Sequence, residues 1–340
     1  MLQHPMPLLK AFMIINLGSI IYGLSSSSWL GVWVGMELNL YSFTFMLMVS
    51  PIPLFSNSST SNAMIYFLVQ AVGSLVLILS VIMLFNVNSS VWQVLLMLSL
   101  MMKVGVVPFH FWVPWTAVNI SWLMVFWILS VQKFMPLLMI YNVGVLGGFQ
   151  NGLFFFVVGL SAFLGGLLGL FQSRLQPLLA YSSINQAGWM MLTITYSMNL
   201  FFVYFFFYSL VLLLIILIFE KNYTASVGCL PVFFNFSSSV KLNLVVLFFI
   251  LAGIPPSIVF FFKANIFFLL LYQKGFVILV PFLIIGSLLT TFFYLQIILY
   301  LLMPSVMIGK SSKAVGFNVS GIFVFTVFLM GPLFMFVNFV

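Results

Sequence analysis

The sequence predicts an all-α polytopic membrane protein, and three observations point that way: composition, the length of the apolar runs, and the placing of the few charges. Hydrophobic residues make up 64% of the 340, and charged residues only 4%. A soluble domain carries about 25% charged residues, so this chain lacks the charge to cover a water-facing surface. A spanning helix needs roughly 20 mainly apolar residues, and such runs recur from one end of the chain to the other.

Apolar length and loop punctuation give about 11 transmembrane helices, near 9–24, 27–49, 62–84, 90–112, 120–142, 149–171, 177–197, 199–219, 242–268, 276–302 and 317–338. The longest polar stretches, Ser56 to Asn62 and Ser237 to Asn243, fit interhelical loops. Lys10 precedes an apolar run without a small-residue cleavage pattern, which is expected to remain as a first helix. No Arg-rich, Ser-rich transit segment is present, so an organellar chain of this kind is expected to be made inside the organelle.

Charge by side tests the helix count. With the N-terminus inside, the inside loops hold Lys10, Arg174, Lys221, Lys241, Lys310 and Lys313, and the outside loops hold only Lys274. Such a bias is what the positive-inside rule requires. The net charge of +8 is scattered singly and forms no phosphate-binding patch, so no nucleic acid is expected as a partner.

An internal repeat organises the spans. The fourth reads Lys103-Val-Gly105-Val-Val-Pro108-Phe-His110-Phe-Trp112, and the ninth reads Ala252-Gly253-Ile-Pro255-Pro256. Gly105 and Gly253 lie 148 residues apart, as do Pro108 and Pro256. The same offset sets spans one, two and four over six, seven and nine. Five helices per unit is an odd number, so the second unit is inverted relative to the first. The expected architecture is two inverted five-helix repeats, residues 1–142 and 149–302, each with a proline-broken helix, followed by a loop and C-terminal helix over 303–340. Inverted repeats with broken helices are a transporter pattern, with the ion site near the breaks. Proline removes a backbone donor, and the freed carbonyls can face a polar cavity.

Four charges lie inside apolar spans: Glu37, Lys103 before the first break, Lys133 in mid-span five, and Lys263 after the second break. A charge at the bilayer centre costs at least about 2.5–3.5 kcal/mol, so these groups need partners or a purpose. Snorkelling to an interface is most credible for Lys263. For Glu37 and Lys103 the expectation is a pair that opens and closes as a proton passes. A carboxylate neighbour favours the charged ammonium and apolar surroundings disfavour it, so a modest rearrangement can load and release a proton. His110, beside the first break, either relays protons or hydrogen-bonds a freed carbonyl. Tyr181, Ser182 and Ser183 either line a polar path or serve helix packing, and Gly165 with Gly169 reads as a close helix contact. Glu220 and Lys221 read as a solvated pair at a helix end. There is no phosphate loop, dinucleotide fingerprint or metal cluster, and one cysteine, Cys229, so redox or hydrolytic chemistry has to come from partner chains.

Trp33-Val-Gly-Met-Glu37-Leu-Asn-Leu-Tyr-Ser-Phe43, Lys103 to Trp112, Gln132-Lys-Phe-Met-Pro136, Tyr181-Ser-Ser-Ile-Asn185 with Gly188-Trp189, and Gly253 to Pro256 together resemble the NADH dehydrogenase subunit 2 family. These are antiporter-like membrane-arm chains of respiratory complex I. The resemblance implies proton translocation across the mitochondrial inner membrane, with the N-terminus on the matrix side, coupled to ubiquinone reduction elsewhere in the complex. It implies an input pair at Glu37 and Lys103, a central lysine at Lys133, a distal one at Lys263, and His110 as a relay candidate. NADH, flavin mononucleotide, iron–sulfur clusters and ubiquinone are then expected on other subunits, with no cofactor in this chain. The implied partners are other membrane-arm subunits, antiporter-like neighbours and small accessory chains among them, and lipids such as cardiolipin. Eleven helices resemble the shortened animal mitochondrial form. The family usually has His after Ser-Ile-Asn, where this chain has Gln186, which cannot titrate. Two other readings are an Mrp-type cation/proton antiporter subunit and a non-conducting scaffold between membrane subunits.

Overall fold

The computed structural model describes residues 6–50, 56–86, 90–118, 120–147, 152–221, 237–255, 257–272 and 279–302. Seven helices among them are long and apolar enough to cross a membrane, and three shorter apolar ones accompany them. Large apolar side chains such as Ile14, Leu75, Phe206 and Leu288 stand exposed along these helices. Exposed apolar flanks of this extent suit hydrocarbon rather than water. The chain is therefore an all-helical polytopic membrane protein. The expected eleventh span, 317–338, lies outside the described residues, as do Lys274, Lys310 and Lys313, so eleven remains an expectation.

The chain divides into two compact units between Phe154 and Phe155. The first begins with α1 (Met6–Ser25), α2 (Trp29–Val49) and α3 (Ser56–Asn86), each packed on its neighbour in sequence. Ser28 starts α2 by accepting a hydrogen bond from the Gly31 N–H at 3.2 Å. Gly23 and Gly35 let α1 and α2 touch backbone to backbone, since a β-carbon at Gly35 would lie 2.7 Å from the Gly23 Cα. Expected span four is α4 (Ser90–Val104), a break, and the short α5 (Trp112–Ala117). Expected span five is α6 (Trp122–Phe126), a π-helical turn at Trp127–Val131, and α7 (Gln132–Gly147). Pro136 cannot supply an N–H to the Gln132 carbonyl and its ring crowds that turn, and the backbone widens just before it.

The second unit holds α8 (Gly152–Leu170, beginning at the boundary), α9 (Leu175–Tyr196) and α10 (Met198–Lys221). It continues with α11 (Ser238–Ala252), α12 (Ile258–Tyr272) and α13 (Leu279–Leu302). Helix α9 packs on α10, α12 and α13 and is buried throughout Leu175–Ile194 except at Gln176. Its Ser182, Ser183, Asn185 and Gln186 therefore face protein, not lipid. Gly165 brings α8 against α9 as its spacing predicted, a β-carbon there lying 2.7 Å from the Asn185 nitrogen. Gly169 instead meets the Phe293 ring of α13.

Candidate proton-path residues at two helix breaks

The first break turns on Gly105, whose φ of +76° is left-handed. A side chain disfavours that region by about 1–2 kcal/mol. A β-carbon there would also run into Val113 and lie 3.0 Å from the Trp112 ring. Helix α4 closes in a Schellman arrangement: the Gly105 N–H donates to the Met102 carbonyl at 3.2 Å, and the Val106 N–H donates to Met101 at 3.3 Å. This closure leaves the Lys103 carbonyl without a backbone donor. Gln70 of α3 supplies one, its Nε2 donating at 3.3 Å.

The Lys103 side chain is 4% exposed. It passes Gly73, where a β-carbon would lie 3.4 Å from its Cγ. It borders a cavity of about 20 Å³ lined also by Asn39, Tyr66, Gln70 and Gln132. That is room for one water with polar partners. A side-chain network adjoins it. Tyr66 donates to Gln132 Oε1 at 3.2 Å, and Gln132 Nε2 to Asn16 Oδ1 at 3.5 Å. Asn16 Nδ2 in turn donates to Asn39 Oδ1 at 2.8 Å and Ser42 Oγ at 2.9 Å. Glu37, half-buried on α2, acts on Lys103 electrostatically but not through a contact ion pair. The two groups of the expected pair therefore sense each other's charge without touching.

His110 is buried on the far side of the break, its ring against Phe111 with centroids 4.1 Å apart. The Pro108 carbonyl lies beside the ring, yet neither nitrogen makes a well-formed hydrogen bond among the described residues. Lys133 is 2% exposed and directly follows the π-helical turn and Gln132.

The second break turns on Gly253, φ +73°, whose N–H donates to the Ile250 carbonyl at 3.1 Å. The Leu251 carbonyl would meet the N–H of residue 255 in a continuous helix, and Pro255 has none. Gln186 of α9 replaces it, its Nε2 donating to Leu251 at 3.2 Å, while the Tyr204 hydroxyl donates to Gln186 Oε1. Lys263 is 7% exposed and does not snorkel. Its Nζ lies 3.4 Å from where a β-carbon of Gly253 would stand and 5.6 Å from the centre of the Trp189 ring. It has no hydrogen-bond partner among the described residues. Ser182 and Ser183 donate to the carbonyls three residues back, at 2.8 and 2.6 Å, as packing hydroxyls do. The Tyr294 and Tyr208 hydroxyls stand beside them.

The structure thus brings Lys103 near Glu37 in the first unit and sets Lys263 on the break of the second. Sequence reasoning missed Asn16, Tyr66, Gln70 and the bridging role of Gln186. The available signal was a carboxamide inside an apolar span, which has to find a partner there.

Buried lysines beside broken helices are the features expected of an antiporter-like membrane subunit, and the family that this chain matches is of that class. The family described as NADH:quinone oxidoreductase/Mrp antiporter, transmembrane, matches residues 86–290. NADH-ubiquinone oxidoreductase chain 2 of Lumbricus terrestris is 32% identical over 83% of this chain and 83% of its own. The Artemia franciscana protein of that name is 31% identical over 88% of this chain and 95% of its own. The chain belongs to the NADH-ubiquinone oxidoreductase chain 2 family. The fold is shared with a chain of Thermus thermophilus respiratory complex I, at TM-score 0.74 and 18% identity over 96% of this chain and 76% of that one. It is shared too with a chain of the Mrp complex from Dietzia, at TM-score 0.76 and 17% identity over 91% and 66%.

Proposed function

We propose that this chain is a proton-translocating membrane-arm subunit of NADH:ubiquinone oxidoreductase in the mitochondrial inner membrane, its N-terminus on the matrix side. The observation that carries the reading is the burial of Lys103, Lys133 and Lys263, each beside a helix break or a π-helical turn. A lysine held in protein at membrane depth is a functional group by default. Here Glu37 and Lys103 form the input pair, Lys133 the central carrier and Lys263 the distal one, with His110 a relay at the first break. Residues 1–142 and 149–302 act as two inverted half-channels. NADH, flavin, iron–sulfur clusters and ubiquinone bind other subunits, and this chain carries no redox centre. Its partners are neighbouring membrane-arm chains and lipid. The names of the chain 2 relatives favour this reading over a free-standing Mrp-type antiporter.

Lys133→Met in the assembled complex tests it. NADH-driven proton uptake into proteoliposomes should fall at least tenfold with assembly intact. Normal assembly with normal pumping would favour a non-conducting scaffold.

A further inference from the structure

The Gln186 carboxamide uses both ends: its nitrogen donates to the Leu251 carbonyl and its oxygen accepts from Tyr204. All three groups are buried. The carbonyl it occupies is the one that Pro255 leaves without a donor, in the last turn of α11. The Lys263 ammonium lies over Gly253, directly past that turn, with the Trp189 ring as its neighbour and no hydrogen bond among the described residues. A helix C-terminus carries partial negative charge, and an unoccupied carbonyl there attracts an ammonium. The first break repeats the device. Lys103 and Leu251 hold equivalent places, two residues before the left-handed glycine, and a buried glutamine meets each carbonyl. The two glutamines come from helices at different places in their units, Gln70 on α3 and Gln186 on α9.

We propose that Gln186 is a positioning residue whose bridge from the Tyr204 hydroxyl to the Leu251 carbonyl keeps the end of α11 from capturing the Lys263 ammonium. The proposal rests on reading Lys263 as a proton carrier. The work of the position is to donate and to accept at once, not to titrate. An imidazole with one N–H and one bare nitrogen can make the same two bonds, so histidine there serves equally well. Among the described residues, the titratable groups around the bridge are Tyr204 and Lys263, with Tyr208 beside Ser183 and Tyr294 beside Ser182 one turn earlier on α9.

The test compares Gln186→His, Gln186→Met and Lys263→Met in the assembled complex, reading proton uptake against pH in proteoliposomes. Gln186→His should pump within twofold of wild type with an unchanged pH profile. Gln186→Met should lose at least fivefold and show its profile displaced to higher pH, because the freed carbonyl holds the ammonium. A new limb between about pH 6 and 7 in Gln186→His would show that the position titrates and overturn the proposal. Wild-type pumping by Gln186→Met would overturn it too. Should Gln186→Met not assemble, Gln186→His alone decides. Normal pumping by Lys263→Met would remove the underlying reading. Loss in Lys263→Met beside wild-type behaviour in Gln186→Met would remove the bridge alone.

Discussion

The two breaks share a left-handed glycine and a glutamine on the stranded carbonyl, but they place their lysines differently. At Gly105 the lysine precedes the break, has the Glu37 carboxylate within electrostatic reach, and borders a water-sized polar cavity. At Gly253 the lysine follows the break, and its ammonium sits over the glycine facing a tryptophan ring. The first site has an acid within electrostatic reach, whereas the second holds its ammonium against an aromatic ring without a hydrogen bond among the described residues. On the proposed reading, that difference makes the Glu37–Lys103 site the driven one and the Lys263 site the follower.

Three experiments break or sharpen that contrast. The largest effect is expected from Lys103→Met, which removes the group that answers to Glu37. Coupled proton uptake should be abolished in the assembled complex, and full pumping would sink the idea of a driven input site. Next comes the glycine pair. Gly105→Ala adds left-handed strain and a clash with Val113, together about 3 kcal/mol, whereas Gly253→Ala adds the strain alone, about 1–2 kcal/mol. Hydrogen exchange at the ends of α4 and α11 measures both, and equal losses would contradict the difference in packing. The smallest effect is Trp189→Leu, which removes a cation–π contact worth about 0.5–2 kcal/mol. It should shift the pH profile of pumping slightly and leave the rate at its optimum within about threefold, whereas a total loss would mean that Trp189 does more than face a cation.

Much of the fold was legible because lipid imposes a simple rule on sequence. Apolar length placed most of the described helices, and the Gly-Pro spacing marked both breaks. Residues 56–62 and 238–243, whose polarity suggests loops, instead lie in the first turns of α3 and α11. The burial of Lys103 and Lys133 was equally plain, since both stand well inside apolar runs, whereas Glu37 is only half-buried. What remained hidden depended on the third dimension. Gln70 and Gln186 look alike as isolated amides in sequence, and only the fold shows that both meet equivalent carbonyls. The depth of Lys263 was undecided for a similar reason. A lysine ten residues past a break can snorkel or turn inward, and the position of Gly253 decides it. The π-helical turn had no signature apart from Pro136, and proline more often only kinks a helix.

That turn has a consequence for aim. A π-helical turn holds one residue more than an α-helical one, and each residue of an α-helix advances about 100° around the axis. Everything after Val131 is therefore rotated by one position relative to an unbroken helix. Lys133 points where residue 132 would otherwise point, and in a regular helix that direction would belong to Gln132. One surplus backbone residue selects an ammonium over a carboxamide for the direction that Lys133 now takes.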